Sequence, residues 1–266
     1  MNTRDFQELI WGKTHELYRD MPWRRDTRPY YVLVSEIMLQ QTQVDRVVPK
    51  FEAFIAAFPD STSLAKAPLA DVLKLWSGLG YNRRAKFLHE AAQKIEDTFD
   101  GAFPTTLKEL VSLPGVGVNT AGAILAYSFE QPVVFIETNV RTVYFHHFFE
   151  DSASVSDAEL RAVVEKTVDT EHPREWYWAI MDYGTHLKRR GAGRNDKSRH
   201  YKKQSALKGS VREVRGQIVR ELAAQDMDIT LLRRAVQADE RFERALAGLT
   251  VDGLVQETAG QLHLTR

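Results

Sequence analysis

Apolar residues recur along most of the chain at intervals of three and four positions, the spacing that gathers them on one face of an α-helix. Prolines fall between these stripes, where helices begin or end, except Pro49, which we place in the first turns of a helix. Alternating, strand-like patterns are missing before about residue 250, so the first 190 residues predict an all-α fold. The stripes run through residues 6–17, 44–55, 69–76, 85–95, 160–168 and 176–187.

The last 60 residues follow a different pattern. Short helical patterns cover 211–222, 231–236 and 242–249. The segment from Leu254 to Thr265 then alternates around Ala259-Gly260, which is typical of a β-hairpin. Helices followed by a terminal hairpin favour a small winged-helix-like C-terminal module.

Composition narrows the class of protein. The 266 residues include 36 Lys and Arg, 36 Asp and Glu, and no Cys. The lack of Cys excludes a disulfide scaffold, a cysteine nucleophile and any zinc or iron–sulfur site built on thiolates. No run approaches 18 apolar residues, and the N-terminus lacks the apolar core of a signal peptide. We therefore expect a soluble cytoplasmic protein, nucleoid-associated in a prokaryote, with no membrane partner, and we expect a monomer.

The net charge of zero hides a concentration of positive charge. Residues 1–187 carry 19 Lys and Arg against 26 Asp and Glu, whereas residues 188–203 carry eight Lys and Arg against one Asp. Such a run suits a polyanion such as nucleic acid, although a solvated linker has the same composition. His200 and Tyr201 favour contact, because flat side chains pack on sugars or bases. The predicted phosphate contacts are Lys188, Arg189, Arg190, Arg194, Lys197 and Arg199.

The segment Leu113-Pro-Gly-Val-Gly117 lies between predicted helices at 107–112 and 119–127. Its glycines permit a sharp turn, and the amides that open the second helix can bind a phosphate without reading base sequence. The motif taken alone is equally typical of an ordinary turn. Its place between two helices favours a helix-hairpin-helix DNA-binding element in which Leu113, Gly115 and Gly117 contact the DNA.

Five ordered motifs together resemble those of the MutY-type adenine DNA glycosylases, within the helix-hairpin-helix DNA glycosylase superfamily. The resemblance runs from about residue 20 to residue 190, and Met181-Asp-Tyr-Gly184 matches the segment that precedes the family's iron–sulfur cluster. The five motifs are Pro22-Trp-Arg24, Val34-Ser-Glu-Ile-Met-Leu-Gln-Gln-Thr-Gln-Val44, Leu75-Trp-Ser-Gly-Leu-Gly-Tyr81, Leu113-Pro-Gly-Val-Gly117 with Thr120–Leu125, and Asn139-Val-Arg141.

The resemblance implies two helical lobes with a DNA cleft between them. One lobe would hold roughly residues 28–130, including the helix-hairpin-helix motif. The other would combine residues 1–27 with 131–207, and the winged-helix-like module would follow at 208–266. The family often ends in a Nudix-like domain that recognises 8-oxoguanine, but these final 60 residues are too short and too helical for one.

Hydrolysis of an N-glycosidic bond needs a proton for the leaving base and an anion near the developing oxocarbenium ion, so two carboxylates suit it. Glu36 lies in the apolar segment VLVSEIML, where burial would raise the pKa of its carboxyl, and the resemblance makes it the general acid. Glu137 stands where the family has Asp beside the sugar, and its extra methylene changes the reach by about one C–C bond. Local capping or pairing is the alternative role for Glu36, and a purely structural role is the alternative for Glu137.

Three further positions match the family's pocket. Asn139 and Arg24 match residues that line it, and the alternative for Arg24 is an ordinary surface arginine paired with a carboxylate. Asn119 stands where lyase-competent relatives such as endonuclease III have the Lys that forms a Schiff base. Because an amide lacks that chemistry, we predict a glycosylase without lyase activity, and the alternative role for Asn119 is a helix cap.

Other positions match the residues that replace the extruded nucleotide. Gln40, Gln41 and Thr42 fall where the family inserts polar side chains into the base stack, unless they form an exposed amide run. Tyr81 is present, but Asn82 replaces the family's second aromatic residue, which weakens the expected stacking on the partner base. This departure leaves recognition of 8-oxoguanine open.

The cysteines of the family's iron–sulfur cluster would fall at Lys188, Asn195, Ser198 and Gln204, and none of these can ligate a cluster as Cys does. We hypothesise that direct contacts from Lys and Arg to phosphate replace the DNA-binding role of the cluster loop. We expect no cofactor and no metal, with a monovalent cation at the hairpin as an open option.

The leading prediction is a monofunctional DNA glycosylase of base excision repair, which flips a mispaired base and hydrolyses its glycosidic bond. Its partner is double-stranded DNA with a damaged or mispaired base, and adenine opposite 8-oxoguanine or guanine is the first substrate to test. Thymine or uracil opposite guanine, or another lesion, stays open. The alternatives from other classes are a non-catalytic protein that binds DNA structure and, from the tail alone, a transcription factor.

Overall fold

The computed structural model describes residues 1–199 and 206–266, and nearly all regular structure in these ranges is α-helical, as predicted. His200, Tyr201 and Gln204, for which the sequence raised specific expectations, lie outside the described residues. The elements are α1 (Thr3–Leu17), α2 (Pro22–Arg25), α3 (Pro29–Leu39), α4 (Val44–Ala57), α5 (Ser61–Lys66), α6 (Leu69–Trp76), α7 (Arg83–Phe99), α8 (Leu107–Val111), α9 (Val118–Phe129), α10 (Thr138–Phe148), α11 (Asp157–Thr167), α12 (Pro173–Arg189), a short 3-10 helix (Asn195–Lys197), α13 (Val211–Ala224), α14 (Ile229–Ala235), α15 (Phe242–Val251), β1 (Val255–Thr258) and β2 (Gln261–Leu264).

The chain divides into two compact units. The first unit comprises Met1–Val32, Thr105–Val111 and Val116–Lys203, and the second comprises Leu33–Pro104, Ser112–Gly115 and Gln204–Arg266. Helix α3 passes from the first unit into the second, and the turn of the Leu113–Gly117 motif falls largely in the second.

The first unit is built around α12, which contacts α1, α9 and α10. Helix α1 buries Phe6 and Ile10 completely. The Phe6 ring lies 5.0 Å from the ring centre of Tyr144 on α10 and 5.9 Å from that of Trp176 on α12. These tilted and edge-on contacts add about 0.5–1.5 kcal/mol each to the gain from burial, so the aromatic cluster fixes the helices that carry the candidate catalytic residues.

The second unit packs α7 against α5 and α6, and packs α13 against α6 and α15. The predicted stripe of α7 is buried at Leu88, Ala91, Ala92 and Ile95. The C-terminal helices therefore share a core with the helices that follow α3. The predicted lobe at 28–130 would include α9, but α9 contacts α12 and belongs to the first unit. Residues 206–266, predicted mainly as a separate module, pack on α6 within the second unit. The three-part functional division stays a prediction.

The predicted hairpin is present at the C-terminus. Strands β1 and β2 pair antiparallel, with Val255 opposite Leu264 and Thr258 opposite Gln261. Ala259 and Gly260 both have positive φ angles, 51° and 76°, as a two-residue turn between twisted strands requires. Three helices followed by this hairpin fit the winged-helix-like interpretation, which stays a prediction.

Candidate DNA-binding and catalytic site

Glu137 caps the N-terminus of α10. One of its carboxylate oxygens, Oε1, accepts hydrogen bonds from the backbone N–H groups of Asn139 (2.6 Å) and Val140 (3.2 Å). The other, Oε2, accepts from the Thr138 hydroxyl at 3.0 Å. Negative charge is favourable at this end of a helix, and a half-buried carboxylate held here is fixed in position. The contacts give Glu137 a structural role and also orient its charge.

Asn119, on the first turn of α9, fixes the backbone just before Glu137. Its Nδ2 donates to the carbonyl of Ile136 at 2.8 Å, and its Oδ1 accepts from the N–H of Ile136 at 3.2 Å. This amide pairing differs from the helix cap considered as the alternative, because it links α9 to the entry of α10. Asn119 is thus a positioning residue for Glu137.

Asn139 lies against Gly184, where α10 and α12 approach closely. A Cβ atom at Gly184 would stand 2.7 Å from both the Cβ and the carbonyl oxygen of Asn139, so only glycine fits in α12 at this position. The Oδ1 of Asn139 accepts from the Lys188 ammonium at 2.8 Å, and the same ammonium donates to the Thr138 hydroxyl at 3.1 Å. The Met181-Asp-Tyr-Gly184 motif therefore brings α12 against the cap of α10.

Arg24 is buried and paired with a carboxylate. Its guanidinium donates to Asp182 through two bonds, at 2.7 and 3.0 Å, and the two side chains are 2% and 3% exposed. Arg19 also donates to Asp182 at 2.5 Å. Fork-on-fork geometry of this kind is strong and specific. The contacts favour the ion-pairing alternative for Arg24 and place it inside the unit instead of at its surface.

The basic run is divided between surface and interior. Arg189, Arg190, Arg194 and Arg199 are exposed, as phosphate contact requires. Lys197 is only 4% exposed, and its ammonium donates to the carbonyls of Phe149 (2.8 Å) and Glu150 (2.5 Å) after α10. Carbonyls at the end of a helix attract a cation, so Lys197 holds the loop to α10 and is not accessible to phosphate.

The residues at the family's cluster positions do not fit an iron–sulfur cluster. The chain has no Cys. Lys188 is bonded to α10 as described, the Oδ1 of Asn195 accepts from Thr142 at 3.3 Å, and the Ser198 hydroxyl accepts from Arg141 at 3.5 Å. Amine, amide and hydroxyl groups held in this way cannot replace four thiolates.

Glu36 lies in the second unit on α3, between the buried residues Ser35 and Ile37. Its side chain is half-buried, whereas the rest of the helix from Val32 to Met38 is buried. A carboxyl group carried on an otherwise buried helix has a well-packed backbone and stays partly accessible. This is the environment that a general acid needs.

Arg84, which the sequence did not single out, organises the loop between α3 and α4. Its guanidinium donates to the carbonyls of Ile37 (2.9 Å), Met38 (2.9 Å) and Gln40 (2.6 Å) and to the hydroxyl of Thr42 (3.1 Å). Burial lowers the pKa of Arg84 to about 10, and the positive charge of Arg46 acts in the same direction. The side chain therefore stays charged at neutral pH and fixes the polar residues predicted to enter the base stack.

Gln40 and Gln41 occupy different positions in this loop. The side-chain amide of Gln40 donates to the carbonyl of Gly115 at 3.4 Å, which ties the loop to the hairpin turn. Gln41 is exposed and has a left-handed backbone with φ of 57°. A non-glycine residue held in that region is strained, and such strain concentrates at functional sites.

Two guanidinium groups lie over the ring of Tyr81. Those of Arg84 and Arg212 lie 5.5 and 5.0 Å from its ring centre, and Arg212, on α13, also donates to its phenol oxygen. Tyr81 has a positive φ of 49°. A cavity of about 440 Å³ opens beside it, with both aromatic and cationic walls. Its lining includes Gln41, Asn82, Phe87, Arg212, Arg215 and Asp252.

The hairpin motif has the backbone geometry predicted for it. Gly115 has φ of 76°, and a Cβ atom there would stand 2.9 Å from the Cβ of Phe87. Gly117 precedes α9 with an extended backbone, and apart from its own chain neighbours no atom of the described residues lies within 4 Å of where its Cβ would be. The open space at Gly117 suits close approach of a phosphate to the first-turn amides of α9. Leu113 is 2% exposed and anchors the turn.

The described ranges lack two features, a metal-binding cluster and a membrane-spanning helix. Residues 1–199 and 206–266 hold no group of three His, Cys, Asp or Glu side chains close enough to bind a metal ion. In the same ranges no helix is both long and apolar enough to cross a membrane.

Comparison with known proteins identifies the family. The model of the HhH-GPD superfamily of base excision DNA repair proteins matches residues 34–170, just over half of the chain. This matched segment includes Glu36, Tyr81, the hairpin and Glu137. The protein belongs to the HhH-GPD superfamily.

Individual relatives are similar over different lengths. The adenine DNA glycosylase of Mycolicibacterium smegmatis is 34% identical, over 91% of this chain and 89% of the relative. That of Buchnera aphidicola subsp. Baizongia pistaciae is also 34% identical, over 69% of this chain, and the chain spans only about half, 53%, of its length. A solved thermostable thymine-DNA glycosylase has a TM-score of 0.59 at 23% identity, over 68% of this chain and 87% of that chain, which shows the shared fold.

Proposed function

We propose that this protein is a DNA N-glycosylase of base excision repair that removes adenine opposite 8-oxoguanine or guanine. The observation that carries the proposal is the 34% identity to an adenine DNA glycosylase over 91% of this chain. The reach of the superfamily match over Glu36, the hairpin and Glu137 supports it.

Glu36 is the proposed general acid. It would protonate the leaving adenine, which weakens the bond from the base to C1′ of the sugar. Its position as a half-buried residue on an otherwise buried helix supports this role. A proton delivered by a positioned side chain is worth about 10²- to 10⁴-fold in rate.

Glu137 is the proposed anionic group for the sugar. As the base leaves, positive charge develops at C1′ and the ring oxygen, and a fixed carboxylate stabilises it. The bonds from the backbone of α10 and from Thr138 hold the carboxylate without rearrangement during the reaction. Asn119 and Asn139 help to position Glu137. Asn119 fixes the backbone just before the cap, and Asn139 lies just after it.

The proposed DNA contacts come from several segments. The amides that open α9 bind backbone phosphate, and the exposed arginines of the basic run add charge. Gln41 and Tyr81 are each held with positive φ beside the cavity. Gln41 would help fill the gap left by the flipped base, and Tyr81 would stack on the partner base. A non-catalytic binder of DNA structure would need the basic and hairpin segments but no carboxyl on α3.

A panel of duplexes under single-turnover conditions tests the proposal. Each duplex carries one candidate pair, and alkali converts abasic sites into strand breaks. The pairs are adenine with 8-oxoguanine, guanine and cytosine, thymine and uracil with guanine, and hypoxanthine with thymine. We expect excision of adenine opposite 8-oxoguanine or guanine and none opposite cytosine. Excision of thymine or uracil alone would overturn the substrate assignment, and tight binding without excision of any base would overturn the glycosylase proposal.

A further inference from the structure

Lys188, on α12, places its side-chain amine beside the N-terminus of α10. Its Nζ lies 2.8 Å from the Oδ1 of Asn139 and 3.1 Å from the Thr138 hydroxyl, which in turn donates to Glu137 at 3.0 Å. The ammonium, the hydroxyl and the carboxylate thus form a continuous hydrogen-bonded chain. The sequence predicts a glycosylase without lyase activity because Asn119, on α9, has no amine. Lys188 on α12 nevertheless places an amine beside the N-terminus of α10.

The surroundings of Lys188 make the amine reactive and reachable. Burial lowers its pKa, and the charge of Arg19 acts in the same direction, whereas Glu137 opposes the shift. A lysine with a lowered pKa spends more time as the neutral, nucleophilic amine. Lys188 also lines an open cavity of about 300 Å³, together with Gly191, Gly193, Asn195 and Asp196. Nζ donates to the uncharged oxygens of Thr138 and Asn139, and within residues 1–199 and 206–266 no carboxylate is bonded to it directly.

We propose that Lys188 is the nucleophile of a DNA lyase activity at abasic sites. It would attack the C1′ aldehyde of the ring-opened deoxyribose left by base removal and form a Schiff base. The inference rests on the proposed function only in that the protein must bind DNA. Thr138 and Asn139 position the amine, and Glu137 is the acceptor for the proton that the sugar loses.

The chemistry balances without a redox partner. The lone pair of Nζ adds to C1′, and the resulting carbinolamine takes up a proton from solvent and loses one water, which leaves an iminium ion. A proton leaves C2′, the electron pair of that C–H bond forms the C2′–C3′ double bond, and the 3′ phosphate departs with its bonding electrons. Water then hydrolyses the iminium ion and restores the free lysine.

Borohydride trapping tests the proposal directly. The substrate is a duplex with a preformed abasic site opposite guanine, so the result does not depend on base excision. Hydride from borohydride reduces the iminium ion and leaves a stable covalent link from protein to DNA. We expect a trapped complex with wild-type protein, and peptide mapping by mass spectrometry that assigns the link to Lys188. Mapping to another lysine or to the N-terminal amine would overturn the proposal, as would the absence of any trapped complex from DNA that the protein demonstrably binds.

Two variants and one binding control complete the test. Lys188→Arg keeps a cation with hydrogen-bond donors but lacks a nucleophilic amine, and we expect at least a tenfold lower yield of trapped complex. Lys166→Met removes an exposed lysine of the same unit, and we expect the wild-type yield. Binding to a tetrahydrofuran site, which has no aldehyde, separates loss of DNA binding from loss of the amine. Equal trapping by Lys188→Arg and wild type would contradict the assignment.

Discussion

Arg212 donates a hydrogen bond to the phenol oxygen of Tyr81, and its guanidinium also lies 5.0 Å from the centre of the tyrosine ring. The two residues are 131 positions apart, yet they line one cavity of the second unit. Tyr81 belongs to a motif that resembles one in adenine DNA glycosylases, whereas Arg212 opens the C-terminal module. The C-terminal module therefore contributes directly to the surface that this motif forms, although the module has no excess of positive charge.

Replacing Arg212 should weaken DNA binding more than its charge alone explains. Arg212→Met removes both the hydrogen bond and the cation over the ring, and we expect about five- to tenfold weaker binding to an abasic-analogue duplex. Fluorescence anisotropy at fixed salt measures this. The matched control is Arg220→Met, because Arg220 is exposed on the same helix. Equal losses in the two variants would show that only bulk charge matters.

Two substitutions at Glu137 separate its cap from its charge. Glu137→Gln keeps an oxygen that can accept from the N–H groups of Asn139 and Val140, whereas Glu137→Ala loses it. We expect Glu137→Ala to lose about 1 kcal/mol of unfolding free energy and Glu137→Gln to lose much less. Single-turnover excision should fall at least about tenfold in both, because both lack the carboxylate. Full activity in a folded Glu137→Gln protein would make the residue purely structural.

Arg24 should be a stability determinant. Arg24→Met leaves Asp182 buried with Arg19 as its remaining partner among those described, and we expect a loss of about 3 kcal/mol in unfolding free energy. The double variant Arg24→Met/Asp182→Leu should recover part of this loss, because no buried charge is left unpaired. Urea denaturation measures both. A loss below about 0.5 kcal/mol for the single variant, the scale of a surface substitution, would contradict the buried pairing.

Acid should destabilise the first unit through His147. Burial lowers the pKa of His147 to about 4, and the neighbouring His146 acts in the same direction. In the unfolded chain the pKa is near 6.5, so between pH 6.5 and about 4 the unfolded state binds a proton that the folded state excludes. This contribution to stability is complete above pH 6.5 and is lost as the pH falls.

Urea denaturation at pH 7 and pH 5 measures that loss. Because the ring is half-buried, we expect about 1 kcal/mol from His147 instead of the full value of its pKa shift. The pKa of His89 is also lowered by burial, so it adds a loss of the same sign. His147→Phe keeps a flat ring between Phe6 and Tyr183 and should reduce the difference between the two pH values. An unchanged difference would assign the acid sensitivity to other groups.

Local patterns predicted the helices that have one apolar face. Pro49 lies within α4 as expected, and Ser156 caps α11 in a capping box with Glu159. Helix α10 escaped the pattern because its buried residues lie nearly all round the helix, at Val140 and from Thr142 to Phe145. A helix buried on most sides has no stripe to detect.

The sequence predicted which residues belong to the candidate site better than it predicted the role of each one. Glu36, Glu137 and Asn139 follow from motifs, but the importance of Arg84 depends on carbonyls more than 40 residues away. The burial of Lys197 likewise depends on the end of α10, which no local rule brings to the basic run. Contacts between distant segments decide these roles, and sequence spacing does not encode them.

Single-turnover excision of adenine opposite 8-oxoguanine by wild type and Glu36→Gln tests the central claim most directly. The substitution keeps the shape of the side chain and removes its acidic proton. We expect the rate to fall by at least about 100-fold, with DNA binding retained, because general acid catalysis is lost. Glu52→Gln, an exposed position on α4 with the same change of charge, should match wild type. Equal excision by Glu36→Gln and wild type, or no excision by either with intact binding, would contradict the account.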